Sequence, residues 1–265
     1  IHIYLVLTGG WMKKALAAFL GVTLLSLFFI IRNNSDPNII IWQLLRKGGT
    51  SGGELRYAVN FLNVFPVGEA VFLPQKEEEY RGQKVYHLSA KAKNLDIYSR
   101  FFTAQASVDS YIDTASFNPL FFRQRLSVKG KNELLKEVIY DQKNLVMTIA
   151  GTERQIFPDT QDPLSAIYNV RNKDFKQNEE FSININTNQK NYVLKGTSDE
   201  RGISINKKAY KLYFIKASIA RRDKNPYHKS HISMILLKLD NKNIPILMKV
   251  FAGGFLINIK LVETR

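Results

Sequence analysis

The chain has 265 residues, 45% of them hydrophobic, with 38 lysines and arginines against 23 acidic residues and a formal net charge of +15. It contains no cysteine, which excludes disulfides, thiolate metal centres and a lipid-modified cysteine for this chain. A balance this basic makes polyanions the natural class of partner.

In chain order, residues 1–11 (IHIYLVLTGGW) read as an upstream extension, with Met12 as the expected start. Lys13 and Lys14 precede ALAAFLGVTLLSLFFII, seventeen residues without a charge, closed by Arg32. This is the layout of a bacterial export signal, so residues 12–32 are expected as a signal peptide or an N-terminal membrane anchor. No A-x-A-like site follows Phe28 to Asn34, which favours an uncleaved anchor. Seventeen helical residues reach roughly 25 Å, near the lower limit for spanning a bilayer. The rest of the chain is then expected in the periplasm, exported and held at the inner membrane if the anchor persists.

Residues 33–53 read as a linker, ending in the glycine-rich Gly48–Gly53. Within it, IIIWQLLRK is expected either at the membrane interface, with Trp42 at headgroup level, or packed on the following domain.

Residues 54–265 suit one exported β-rich domain. Leu55, Tyr57, Val59 and Phe61 alternate with Arg56, Ala58 and Asn60; Tyr86, Leu88 and Ala90 alternate with His87, Ser89 and Lys91; Phe255, Ile257 and Ile259 alternate with Asn258 and Lys260. Period-two alternation marks half-buried antiparallel strands. Turn signals fall at Pro66-Val67-Gly68, Arg81-Gly82, Lys129–Asn132, Asp141–Asn144, Thr187–Lys190, Asp240–Asn243 and Gly253-Gly254. The predicted fold is all-β and mainly antiparallel: a single open β-barrel or curved sandwich of about ten to twelve strands, besides the N-terminal hydrophobic helix. One short helix is expected near 162–171, with Asp162 as N-cap, Pro163 at the first helical position, and Leu164, Ile167 and Tyr168 on one face.

Outside residues 12–32 the chain keeps 35 basic against 23 acidic residues. For an exported protein the matching polyanions are membrane headgroups and anionic envelope polymers, not nucleic acid. The densest basic cluster is Arg221, Arg222 and Lys224 with His228 and Lys229, a candidate ligand-binding loop for phosphate. His228 and His231 are the paired histidines; with no third ligand in sequence they predict no metal, and no cofactor motif is present. His87 sits within a strand. Ser165 near Asp162 and Asp159 lacks the glycines of a nucleophile elbow, and capping explains all three without catalysis. Gly48–Gly53 is not followed by the Lys-Ser/Thr of a phosphate loop. These readings assign no catalytic residue and point away from an enzyme.

Three segments carry a resemblance. They are LRYAVNFLNVFPVGEAVF (55–72), TQDPLSAIYNVR (160–171) and IPILMKVFAGGFLINIKLVE (244–263). Together the chain from Glu54 to Glu263 resembles a family of exported bacterial proteins, the domain of unknown function 3108 family. The resemblance implies a β-rich envelope domain and supplies no catalytic residue. It implies a structural motif of Gly68, Asp162, Pro163, Ser165 and Tyr168, with the aspartate capping a helix that closes one end of the barrel.

Three functions compete: the leading expectation is a non-enzymatic carrier, with a scaffold and a cell-envelope hydrolase as the alternatives. A carrier would enclose a lipid or lipid-linked molecule in an apolar cavity lined by aromatics such as Phe101, Phe102, Phe121 and Phe122. A scaffold would instead have a packed interior and offer its surface to an envelope protein partner. A hydrolase would need a histidine within reach of Asp159, Asp162 and Ser165.

Overall fold

The computed structural model describes residues 37–46, 51–187, 189–222, 230–252 and 254–265. The chain divides into two units, Ile1–Asn34 and Ser35–Arg265, and every described residue belongs to the second. The extension at 1–11 and the signal or anchor at 12–32 lie outside the described residues. No described helix is long and apolar enough to cross a membrane.

Fifteen strands form one antiparallel sheet. The first half of the chain contributes β1 (Leu55–Phe61), β2 (Phe65–Phe72), β3 (Lys76–Tyr80), β4 (Gln83–Asn94), β5 (Ala104–Asp113), β6 (Pro119–Val128), β7 (Leu134–Asp141), β8 (Val146–Ile149) and β9 (Thr152–Gln155). The second contributes β10 (Glu179–Thr187), β11 (Lys190–Ile205), β12 (Lys208–Arg221), β13 (Ser230–Leu239), β14 (Lys242–Ala252) and β15 (Phe255–Thr264). The order is β10-β11-β12-β13-β14-β15-β1-β2-β4-β5-β6-β7-β8-β9, with β3 pairing β4 off this path. Two meanders are thus joined where the last strand, β15, pairs with the first, β1.

The expected ten to twelve strands become fifteen because β3, β8 and β9 are only four or five residues long, too short for alternation to register. The expected reversal at Pro66-Val67-Gly68 is also corrected. The chain turns at Leu62–Val64, with Leu62 and Asn63 at positive φ, and the three residues lie inside β2. Pro66 is tolerated there because it sits near the strand start, opposite an irregularity at Val59/Asn60. Gly68 is required by packing: a Cβ on it would lie 2.6 Å from the Lys93 carbonyl oxygen of β4.

Among the described residues two α-helices line the sheet, α1 (Pro37–Arg46) and α2 (Pro163–Asn172). Helix α1 corrects the linker reading of 33–53 over these residues, and of the two placements considered for IIIWQLLRK it takes the one on the domain. Ile40, Ile41 and Leu44 are buried in the main core with Leu55, Tyr57 and Leu261, and Trp42 on the other face stays exposed. Helix α2 touches β4, β5, β10 and β14. In a flat sheet, β10 and β5 would stand nine strand spacings apart, about 43 Å. A helix is only about 10–12 Å across, so the sheet curls around it. The edges remain unpaired as strands, but one parallel bridge, Gln161 to Ile185, ties the segment after β9 to edge strand β10.

Candidate functional site

The segment Pro158–Lys173 enters the curled sheet and is fastened at both ends of α2. Asp162 is fully buried, and its Oδ1 accepts from the backbone N–H groups of Leu164 (2.7 Å) and Ser165 (3.0 Å). Its Oδ2 accepts from the Ser110 hydroxyl of β5 at 2.5 Å. Burial raises the carboxyl above its ordinary range, and the hydrogen bonds from Ser110, Ser165 and Leu164 oppose that rise. Ser165 donates its own hydroxyl to the Asp162 carbonyl at 3.1 Å. Pro163 occupies the first helical position, where its missing N–H costs nothing. At the far end Asn243 of β14 donates Nδ2 to the carbonyls of Lys173 (2.7 Å) and Val170 (3.3 Å). Buried Arg171 donates to the Ser51 carbonyl at 3.1 Å, bringing the chain ahead of β1 into the same assembly. Sequence reasoning found Asp162 because a cap is local. It missed Ser110, Asn243 and Arg171, whose partners are 52, 70 and 120 residues away.

Side chains of α2 fill the interior. Leu164 and Tyr168 pack with Leu88, Ala90 and Ile112, while Ala166 and Val170 join the main core. Ahead of α2, Gln142 donates to the Thr160 carbonyl and Gln161 to Asn118 Oδ1, and Asn118 donates to Asp159 Oδ1.

The groups expected to line a carrier cavity are dispersed. Phe101 and Phe102 lie exposed in the β4–β5 connection, Phe121 stacks with Tyr80, and Phe122 is in a core with Val138, Tyr140 and Met147. Adjacent strand residues point to opposite faces, so Phe121 and Phe122 cannot share a lining. The same alternation separates the hydrolase candidates. Leu88 and Ser110 face α2, whereas His87 and Asp109, their neighbours in β4 and β5, face the other side. There His87 is held between Asp109 (3.0 Å) and Glu78 of β3 (3.1 Å) and stacks on Tyr111 with ring centroids 4.5 Å apart. The hydrogen bond to Asp109 raises the imidazole above its ordinary value, aided by Glu78 and opposed by burial; Asp109 is correspondingly lowered.

Of the basic cluster, Lys224, His228 and Lys229 lie outside the described residues. Arg221 ends β12 opposite Tyr192. Arg222 sits 4.1 Å over the Phe157 ring and donates to Asn184 Oδ1 at 2.5 Å, which fastens the segment after β9 to β10. His231, the second residue of β13, lies opposite Phe251 and Ser218.

These features define a class: an open antiparallel sheet curled around a capped helix. The chain belongs to the family described as a protein of unknown function, DUF3108, whose model matches residues 56–255. Comparison with curated proteins finds no match. Among solved structures it is similar to the hypothetical lipoprotein YmcC from Escherichia coli (K12), at 6% identity over 87% of this chain and 99% of that one, with a TM-score of 0.31. That is a coarse likeness.

Proposed function

We propose that the protein is a non-enzymatic envelope scaffold, exported by its N-terminal segment, that works through its outer surface and not through an internal ligand. The observation that carries this reading is the occupied interior: α2 and the helix-facing side chains of β4, β5, β10 and β14 fill the curl. The lysine-before-apolar layout of residues 12–32 supports export, and net positive charge favours anionic envelope surfaces as surroundings.

The carrier reading keeps one specific candidate. A half-open cleft of about 450 Å³ lies between α1 and the β11–β12 hairpin, lined by Trp42, Leu45, Arg46, Ile205, Lys208 and Tyr210. Native mass spectrometry of the full chain from bacterial envelopes separates the two readings. The scaffold reading expects no stoichiometric lipid adduct. A one-to-one lipid adduct that disappears in Ile205→Glu would overturn it and make the cleft the carrier site.

A further inference from the structure

Among the described residues, exposed large hydrophobics are not scattered. Eight of the eleven sit at one end of the sheet. Register defines that end. The β1–β2 turn abuts the β14–β15 turn, since Leu62 N–H bonds the Leu256 carbonyl. The β4–β5 connection abuts β2, since Leu95 N–H bonds the Val67 carbonyl, and the β6–β7 turn abuts it in turn through Lys129 N–H and the Thr103 carbonyl. Along this edge the first tip carries Leu62 and Val64 and its neighbour carries Phe251. The longer connection carries Ile97, Phe101 and Phe102, with Phe101 75% exposed, and the last tip leads into Leu134 and Leu135. From β14 to β7 the row follows seven strand spacings of the curled edge, about 34 Å of arc. The tips are braced: Tyr98 donates to the Pro66 carbonyl at 2.9 Å, and Asn94 donates to the Phe102 carbonyl at 3.2 Å while accepting from Ala104 N–H.

Basic side chains set between the apolar tips favour one occupant. Lys93, Arg100, Lys129 and Lys131 are exposed among these tips, against Glu69, Asp96 and Glu133; Lys93 lies 3.8 Å from Asp96 and opposite Glu69, which leaves Arg100, Lys129 and Lys131 as the cations facing outward. Apolar residues on separate fingertips, with lysines and arginines between them, suit a fluid surface that is apolar below and anionic above. A folded partner would instead call for one continuous apolar patch with a polar rim.

We propose that the hairpin tips at 62–64, 95–103 and 129–135, with Phe251 and residues 254–256, form a docking surface for an anionic lipid bilayer. This deepens the surface-scaffold reading by naming a partner. The chain enters the sheet at the opposite end, where Glu54 pairs with Arg265, so the tips point away from α1 and from the cleft it helps to form.

The absence of cysteine makes the test direct. Full-length Phe101→Cys and Leu62→Cys, each carrying an environment-sensitive dye and held in phosphatidylcholine nanodiscs, are mixed with phosphatidylglycerol-rich vesicles. Ser116→Cys, in the β5–β6 turn at the other end, is the control. The expected result is a blue-shifted, brighter dye at 101 and 62, quenched by brominated lipid in the vesicles and weakened by salt, with no change at 116. Lys129→Gln/Lys131→Gln should raise the vesicle concentration at half-response by about 10- to 30-fold, from the usual contribution of a basic residue near an anionic surface. No response at the tips, an equal response at 116, or an undiminished response to pure phosphatidylcholine vesicles overturns the proposal. A dye change that needs no vesicles and grows with protein concentration also overturns it, in favour of contact between copies. Because the dye reports the tips and the lipid adduct reports the cleft, the two readings fail separately.

Discussion

Replacing Asp162 by alanine is expected to destabilise the domain by about 3 kcal/mol, and replacing it by asparagine by about 1 kcal/mol or less. The alanine figure has two parts. Loss of an N-cap side chain costs about 0.5–2 kcal/mol, here with two buried N–H groups deprived of their acceptor. The Ser110 hydroxyl, fully buried, loses its partner as well, and an unsatisfied buried donor costs about 1–3 kcal/mol. Against this stands a gain. The buried carboxylate is disfavoured in its charged form, so removing it returns part of that penalty. Asparagine keeps the Oδ1 acceptor for Leu164 and Ser165 and offers an N–H to the Ser110 oxygen, while removing the charge.

Thermal unfolding of the full chain, followed by far-ultraviolet circular dichroism, is the assay. For a domain of this size each kcal/mol moves Tm by about 2–4 °C, so Asp162→Ala should fall by about 6–12 °C. The pH dependence supplies a second readout. Because the folded carboxyl is raised above its unfolded value, the folded state holds the proton more tightly. Its contribution to stability is present below the unfolded value and is lost as pH rises through the folded one. Asp162→Asn should flatten stability across that window. Asparagine as damaging as alanine, or a pH profile identical to that of the parent, would refute the capping argument and return Asp162 to the list of chemical groups.

Other expectations follow from the packing. Ile41→Ala, at a residue with no exposure in α1, should cost about 2–5 kcal/mol in denaturant unfolding; a loss below about 0.5 kcal/mol, the usual surface value, would mean that α1 is not part of the folded unit. Gly68→Ala drives a methyl to 2.6 Å from the Lys93 carbonyl and should lose about 1–3 kcal/mol in the same measurement, whereas Gly202→Ala, with open space around it, should leave the midpoint nearly unchanged. His87→Gln removes a group raised by Asp109 and Glu78, whose stabilisation is present below its unfolded value and lost as pH rises through the folded one. The parent should therefore lose stability on going from mildly acidic to mildly alkaline buffer, and the variant should show less of that slope; equal slopes would sink the assignment.

What could be read in the sequence was what is local. The alternation of Leu55, Tyr57, Val59 and Phe61 is strand β1, and Asp162-Pro163 opens α2, because a strand face and a helix cap are each encoded within a few residues. Helix α1 was hidden for the opposite reason. Pro37–Arg46 is short, isoleucine-rich and as suited to a membrane interface as to a core. What decides its place is Leu261 and its neighbours in β15, more than 200 residues later. Strand β3 (Lys-Glu-Glu-Glu-Tyr) shows no apolar face because it pairs with β4 alone. Pro245 argues against a central strand, yet lies in β14 where the register with β13 shifts, and a bulge is where a sheet tolerates proline. The candidate site was legible at its capping aspartate, whereas Ser110, Asn243 and Arg171 join it only once the sheet has curled.

Leu62 offers the sharpest separation between fold and function. It occupies the left-handed region at φ +52° in the β1–β2 turn, is 46% exposed, and is followed by Asn63 at φ +63°. Asparagine and glycine enter that region at little cost, whereas an ordinary side chain there costs about 1–2 kcal/mol. A leucine in that position is strained and gains little burial in return, so for the isolated fold it is a poor choice, and departures of this kind concentrate where another requirement overrides stability. Leu62→Asn should therefore raise the unfolding midpoint, by about 0.5–1 kcal/mol, while weakening the response of a dye at Phe101→Cys to phosphatidylglycerol-rich vesicles. The two effects have opposite signs, which distinguishes this account from general damage. A variant that is less stable and still docks fully would show that Leu62 serves the turn and not the membrane.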